Sequence, residues 1–378
     1  MDTPPFFRVL KPLIRSPNQL IIFINIGLGG NLLLCPSRMF QRVVKIELRL
    51  PRSRRITPLP DERPGVMPKE AQLQTTIDTS IAFDGVGLHS GKPARLVIHP
   101  AASGHGIVFR RVDCAVGTSD IPALWDRVNQ SPLCTRIENE HGVSLSTVEH
   151  IMAALMGCGV HNALVTVDGP EVPILDGSSV AFVRGILNAG FRRLERPVRA
   201  IKVLKTVEVR RGEAWARLTP QDSLSIDFEI DFEDAAIGVQ RKTLNMANGS
   251  FVRELSTSRT FCRKSDVDTM RANGLALGGT LDNAVVVDGA DVLSPGGLRH
   301  ADEAVRHKML DALGDLALAG APIMGRYEGR RAGHALTNDL LRALFAMPGA
   351  VEWVDCDAAA AARLPGAGVH WGEVPQVA

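Results

Sequence analysis

One order of elements occurs twice in this chain, and that recurrence limits the folds open to it more than any other feature. From Gln72 onward, TTIDTSIAFDGVGLHSGKPARLVIHPA reads as a strand, a glycine-rich turn and a second strand. GVSLSTVEHIMAALMGCG follows as a short strand entering a helix, with Ser146 or Thr147 as the N-cap. ALVTVDG and SSVAFVRGILNAG add a strand and an amphipathic helix, and the charged FRRLERPVR, Phe191 to Arg199, reads as a linker between domains. Past it the order returns. AIKVLKTVEVRRGEAWARL resembles the first hairpin down to the letters ARL, and SLSIDFEIDF alternates as a strand does. VRHKMLDALGDLALAG then echoes VEHIMAALMGCG, each with His-x-Met near its helix start. Two similar α+β layers packed face to face would bring His150 opposite His307 and Asp311.

The second of those helices has an unusual face. Wound at 3.6 residues per turn, His307, Asp311 and Asp315 fall one above another, while Met309, Leu310, Leu313 and Leu316 form the apolar stripe. Two explanations compete: a solvated polar face, or an imidazole and a carboxylate one turn apart that converge on a cation, with a third ligand from elsewhere. His150 would be that third ligand. Zn²⁺ with two imidazoles and one carboxylate is a catalytic arrangement, because three protein ligands leave a position for water, whose pKa falls to about 7. Glu149, beside His150, splays from it by about 100° on a helix and could serve as the base. Its plain alternative is an exposed first-turn carboxylate favoured by the helix dipole. His334, in GRRAGHALTND, is either a solvated loop histidine or an imidazole that Asp315 orients and keeps cationic, able to stabilise an oxyanion or protonate a leaving amine.

Composition narrows the class. The chain has 378 residues, 45% hydrophobic, with a formal net charge of +2. That suits a soluble two-domain protein and argues against nucleic acid as a partner. Its six cysteines are scattered without a CxxC pair, as in a reduced, cytosolic protein. Neither GxxxxGK[ST] nor HExxH occurs. Residues 1–66 differ from the rest. LIIFINIGLGGNLLL, Leu20 to Leu34, is shorter than the about 20 residues of a membrane span, and its basic flanks would suit a signal peptide or interfacial helix. Leu34 is too bulky for a lipoprotein cleavage site before Cys35. RLPRSRRITPLPDERPG reads as a basic, proline-rich, unstructured segment. The expectation is an N-terminal extension, 1–66, that is a disordered tail or lies upstream of a natural start at Met67, followed by α+β domains at 67–196 and 197–378.

GVGLHSG, LCT, STVEHIMAAL, PEVPILDGSS, SRTF, GLALGGTLDNAVVVD, RHKMLDALGDL and GHAL occur in the order seen in UDP-3-O-acyl-N-acetylglucosamine deacetylases, and the chain resembles that family from roughly Gln72 to Trp353. The resemblance implies an α+β fold of two similar two-layer α/β sandwich domains packed face to face, with the active site between them. It implies one Zn²⁺ per chain (Fe²⁺ being the other metal to consider), held by His150, His307 and Asp311, with Glu149 as general base. It further implies His334 as the cationic partner with Asp315 beside it, and Thr260 polarising the scissile amide. Lys308, Phe261, Asp231 and Phe232 would be substrate contacts. The implied protein is a cytoplasmic monomer that removes the N-acetyl group from an acylated UDP-sugar, the committed step of lipid A synthesis in Gram-negative bacteria, with transient membrane proximity through the acyl chain. One departure matters: after SRTF the family continues with small and apolar residues of an acyl passage, whereas Cys262, Arg263 and Lys264 follow here. Acyl-length preference is open on that account, unless the basic stems snorkel and still line the passage. Two other functions compete: a metal amidohydrolase for a related nucleotide sugar, and a noncatalytic nucleotide-sugar-binding protein.

Overall fold

The computed structural model describes residues 71–376 apart from 130 and 132, so the expectations for the extension and for Met67 lie outside the described residues. The described residues fall within one compact unit, Val66–Ala378. Its first half contains Ile81–Val86 (β1), Pro93–Pro100 (β2), Ile107–Arg111 (β3), Asp120–Pro122 (β4), Glu149–Gly157 (α1), Ala163–Val167 (β5) and Val180–Ala189 (α2). The second contains Val207–Arg211 (β6), Ala214–Pro220 (β7), Leu224–Asp231 (β8), Val239–Asn245 (β9), Glu303–Ala317 (α3), Ile323–Arg330 (β10) and His334–Ala346 (α4).

Among the described residues, the first sheet has the order β1-β2-β5-β3-β4. β5 runs antiparallel to β2 and parallel to β3, and both outer pairs are antiparallel. In the second sheet β10 likewise runs antiparallel to β7 and parallel to β8, with β6 and β9 antiparallel outside them. Each central strand is preceded by one helix and followed by another. The recurrence in the letters is therefore a recurrence of topology, giving the expected pair of two-layer sandwiches. Strands Arg199–Val203 and Val351–Asp355 extend the second sheet.

The shared ARL shows how alternation sets both registers. Ala94 and Leu96 on β2, and Ala216 and Leu218 on β7, are buried. The arginine between them turns to the other face. There Arg95 meets Asp84 at 2.9 Å and Arg217 meets Glu208 at 3.5 Å. Such exposed pairs contribute only about 0–1 kcal/mol; the buried neighbours hold the register.

Two local expectations need correction. Most of the supposed linker is a strand, Phe191–Pro197, paired antiparallel with Leu73–Ile77. Its side chains are largely exposed, so composition resembles a linker while the backbone is hydrogen-bonded. Neither Ser146 nor Thr147 caps α1. The N-cap position is Val148 without a side-chain bond, and Thr147 has φ 61° with its hydroxyl donating to Glu171 at 2.8 Å.

Ile151 and Leu155 of α1 share one buried cluster with Leu310 and Leu313 of α3 and with residues of both sheets. Gly314 sets how closely the two helices approach, because a Cβ there would lie 2.0 Å from the Glu149 carbonyl oxygen. The start of α1 thus rests against the middle of α3. No helix among the described residues is long and apolar enough to cross a membrane.

Candidate active site

That close approach assembles the polar cluster. His307 and Asp311 lie one turn apart on α3, and His150 is the second residue of α1. His307 Nε2 is 3.3 Å and His150 Nε2 3.7 Å from Asp311 Oδ1, with the two rings 5.0 Å apart and nearly perpendicular. A potential ligand atom from each lies within 4.8 Å of the others. The α3 stripe is therefore buried, and the solvated-face explanation fails.

The donor set fits a divalent cation. His307 Nδ1 is 3.0 Å from the Ser258 carbonyl, to which it can only donate, so Nε2 keeps its lone pair toward Asp311. Burial, followed by the neighbouring His307, pushes His150 down to about 3, and burial lowers His307 as well. Both imidazoles are neutral near pH 7, the form a metal needs. Burial would raise the Asp311 pKa, but His307, Lys308, His334 and His150 outweigh it and hold the carboxyl well below the usual range. Its Oδ1 is buried with no hydrogen-bond partner. An unsatisfied buried acceptor costs about 1–3 kcal/mol, more when charged, and a cation between the three residues would remove that cost.

Two titratable groups flank the cluster. His334, at the start of α4, approaches Asp315 Oδ2 with Nδ1 at 2.8 Å, while its Nε2 lies 3.8 Å from Glu149 Oε1 and 3.9 Å from Asp311 Oδ2. Burial would lower its pKa, but Asp315, Glu149 and Asp311 together raise it to about 9. Burial pushes Glu149 up to about 8, helped by Asp311 and Asp315 and opposed by His334. A carboxyl and an imidazole, both shifted upward by their surroundings, thus face each other beside the cation-binding cluster, as perturbed groups do at acid–base sites.

Residues 74–346 match the UDP-3-O-acyl N-acetylglycosamine deacetylase family. The chain belongs to this family. Proteins named UDP-3-O-acyl-N-acetylglucosamine deacetylase are similar to it over most of their length. One from Shewanella frigidimarina is 42% identical over 304 residues, 79% of this chain and 99% of its own. One from Phenylobacterium zucineum is 47% identical over 278 residues, 74% and 95% respectively. One from Pasteurella multocida is 43% identical over 286 residues, 75% and 93%.

The remaining residues singled out from the deacetylase motifs are placed as follows. Lys308 Nζ lies 2.7 Å from Asp311 Oδ2; burial would lower its pKa, but Asp311 raises it, so the ammonium stays charged. Phe261 sits edge-on to His307 at 6.3 Å between ring centroids, and Phe232 edge-on to Phe261 at 5.4 Å. Thr260 is anchored by its backbone, which donates to the Gly177 carbonyl and accepts from Val285, both at 2.8 Å. Asp231 is exposed and ion-paired with Arg331. The cationic ends of Arg263 and Lys264 turn to Asp266 and Asp288, at 2.8 and 2.7 Å.

Several supporting residues carried no assigned role in the sequence. Ser258 acts through its carbonyl, which no side-chain pattern reveals. Glu303, in the first turn of α3, accepts from Arg259 and from the Arg299 N–H, tying SRTF to the helix that bears His307. Glu171 accepts from the backbone of His89 and Ser90 and from Thr147, tying GVGLHSG to the entry of α1. Thr135 contacts both Glu149 and Asp315. All but Glu303 lie inside motifs quoted above, and the letters of those motifs were the available signal.

Proposed function

We propose that this chain is a zinc-dependent amidohydrolase that removes the N-acetyl group from UDP-3-O-acyl-N-acetylglucosamine, the committed step of lipid A synthesis. The observation that carries the proposal is Asp311 Oδ1, buried and without a donor between two neutral imidazoles, with Glu149 and His334 alongside. His150, His307 and Asp311 would hold the ion. Bound there, zinc supplies Lewis acidity, lowering the pKa of water to about 7 and polarising an amide oxygen.

The chain's own groups handle the protons. A dication in the neighbouring cluster would favour the ionised form of Glu149, and the carboxylate takes a proton from water as the new O–C bond forms at the N-acetyl carbonyl. His334, held cationic and oriented by Asp315, faces the negative charge that develops on the carbonyl oxygen, and the Thr260 hydroxyl assists. As the C–N bond breaks, a proton from this pair passes to the nitrogen, and acetate and a free amine leave. Lys308, Phe261, Phe232 and Asp231 act as substrate contacts. The proposal includes a cytoplasmic monomer with one zinc per chain, near the membrane only through the substrate's acyl chain. The five described cysteines are all free, which supports a reducing compartment.

The test is acetate release from the acylated UDP-sugar by protein stripped of metal and then given one equivalent of zinc, with Fe²⁺ and the unacylated sugar in parallel. Activity restored by metal and favouring the acylated substrate is expected. Equal turnover of the unacylated sugar, or none with any metal, would overturn the assignment.

A further inference from the structure

Glu149 comes from the first half of the chain and Asp315 from the second, and Thr135 hydrogen-bonds to both. Thr135 directly precedes the strand Arg136–Glu138 and is 3% exposed. Its hydroxyl donates to Asp315 Oδ1 at 2.5 Å, its N–H donates to Glu149 Oε2 at 3.1 Å, and its carbonyl accepts from the Val148 N–H at 3.3 Å. Each carboxylate is thereby divided into a held oxygen and a free one. With Oδ1 tied to Thr135, Asp315 presents Oδ2 to His334 Nδ1; with Oε2 tied, Glu149 presents Oε1 toward His334 Nε2.

We infer that Thr135 is a positioning residue for the deacetylation, orienting the base and the carboxylate that aims the imidazole through one side-chain and one backbone bond. The inference rests on the function proposed above. A carboxylate bound at one oxygen only can swing about its last torsion, which is broad and roughly two-fold. A second anchor at the far oxygen removes that freedom. Thr135, itself buried, acts through these two carboxylates.

The competing role is packing, and two substitutions separate the roles. Thr135→Val keeps volume and N–H but deletes the hydroxyl; Thr135→Ser keeps the hydroxyl and deletes a methyl. Positioning predicts failure of valine and rescue by serine, whereas packing predicts the reverse. The experiment measures kcat, KM and zinc content of the full chain and both variants, with the low-field proton NMR signal of His334 Nδ1–H. Thr135→Val is expected to lower kcat about 10- to 100-fold, the usual effect of losing an outer hydrogen-bond partner, with KM and zinc nearly unchanged. Its low-field signal should shift or vanish, while Thr135→Ser resembles wild type in both readouts. Wild-type kcat in Thr135→Val, or equal loss in both variants, would overturn the inference. Should the unaltered chain release no acetate, the functional assignment fails by itself, and the NMR signal decides Thr135: a signal unchanged by valine refutes it.

Discussion

Consecutive helical side chains point about 100° apart, and Glu149 and His150 put that angle to use. One faces His334 and the other Asp311. Glu149→Ala should therefore keep its zinc and lose about 10²–10⁴ in rate, the usual worth of a positioned acid–base group, as read by elemental analysis and acetate release on one sample. Loss of metal in that variant would mean that Glu149 is a ligand. The metal-free chain makes a second prediction. His334 is raised to about 9 from an ordinary 6.5, so its stabilisation is complete below pH 6.5 and disappears as pH rises through 9. Glu149, raised to about 8 from 4.5, costs increasing stability over that rise. His150 and His307 have lowered values and oppose the fall only up to about pH 7.5, where their unfolded forms have lost nearly all their protons. The Tm of metal-free protein should thus fall between pH 6.5 and 9, and His334→Gln should flatten the fall; a flat or rising profile in the unaltered protein would contradict these charges. At this scale the sequence was informative wherever a side chain does the work. The spacing of His307, Asp311 and Asp315 exposed one wall of the cluster and the letters VEH the other. Ser258 was illegible because its carbonyl is what counts, and so was the pairing of the Asp231 carboxylate with Arg331, a partner far along the chain.

The elements contribute closeness. α1 and α3 meet where Gly314 leaves no room for a Cβ against the Glu149 carbonyl, three residues after Asp311 and one before Asp315. In an exposed helix interior Gly→Ala stabilises by about 1 kcal/mol. Here the sign should reverse: Gly314→Ala should destabilise by about 1–3 kcal/mol, the cost of overpacking, and weaken zinc binding as His150 moves off Asp311. Denaturation and zinc titration of the variant check both; a more stable protein with unchanged zinc affinity would show that the helices do not need this contact. The helices α1, α2 and α3 were legible from periodicity, but α4 was not, since His334 read as a loop residue and in fact opens that helix, and neither was the entry to α1. Ser146 and Thr147 have the composition of a cap, yet Thr147 adopts a positive φ and gives its hydroxyl to Glu171, a partner distant in sequence. The strand Phe191–Pro197 was hidden likewise, since pairing with Leu73–Ile77 is a backbone matter and its exposed charges carry a linker's composition.

Across the whole molecule the five-strand order recurs in both halves, while the chemistry does not. Both halves place a helix before the central strand of the same sheet order, and in each that helix carries a histidine, His150 or His307. One turn further, α3 has Asp311, but α1 has Ala154. Neither half alone therefore holds three ligands. The repeat was visible in a handful of letters because the helices that face each other keep their histidines. The sheet order was not, since strand neighbours are chosen by pairing between residues far apart in the chain. The account stands on one joint centre, and zinc stoichiometry tests it most directly. Elemental analysis of purified unaltered protein, His150→Ala and Asp311→Ala should give one equivalent for the first and well under one for both variants, although the two substitutions lie in different halves. One full equivalent retained by Asp311→Ala would contradict the account, leaving the buried stripe on α3 without a metal to hold.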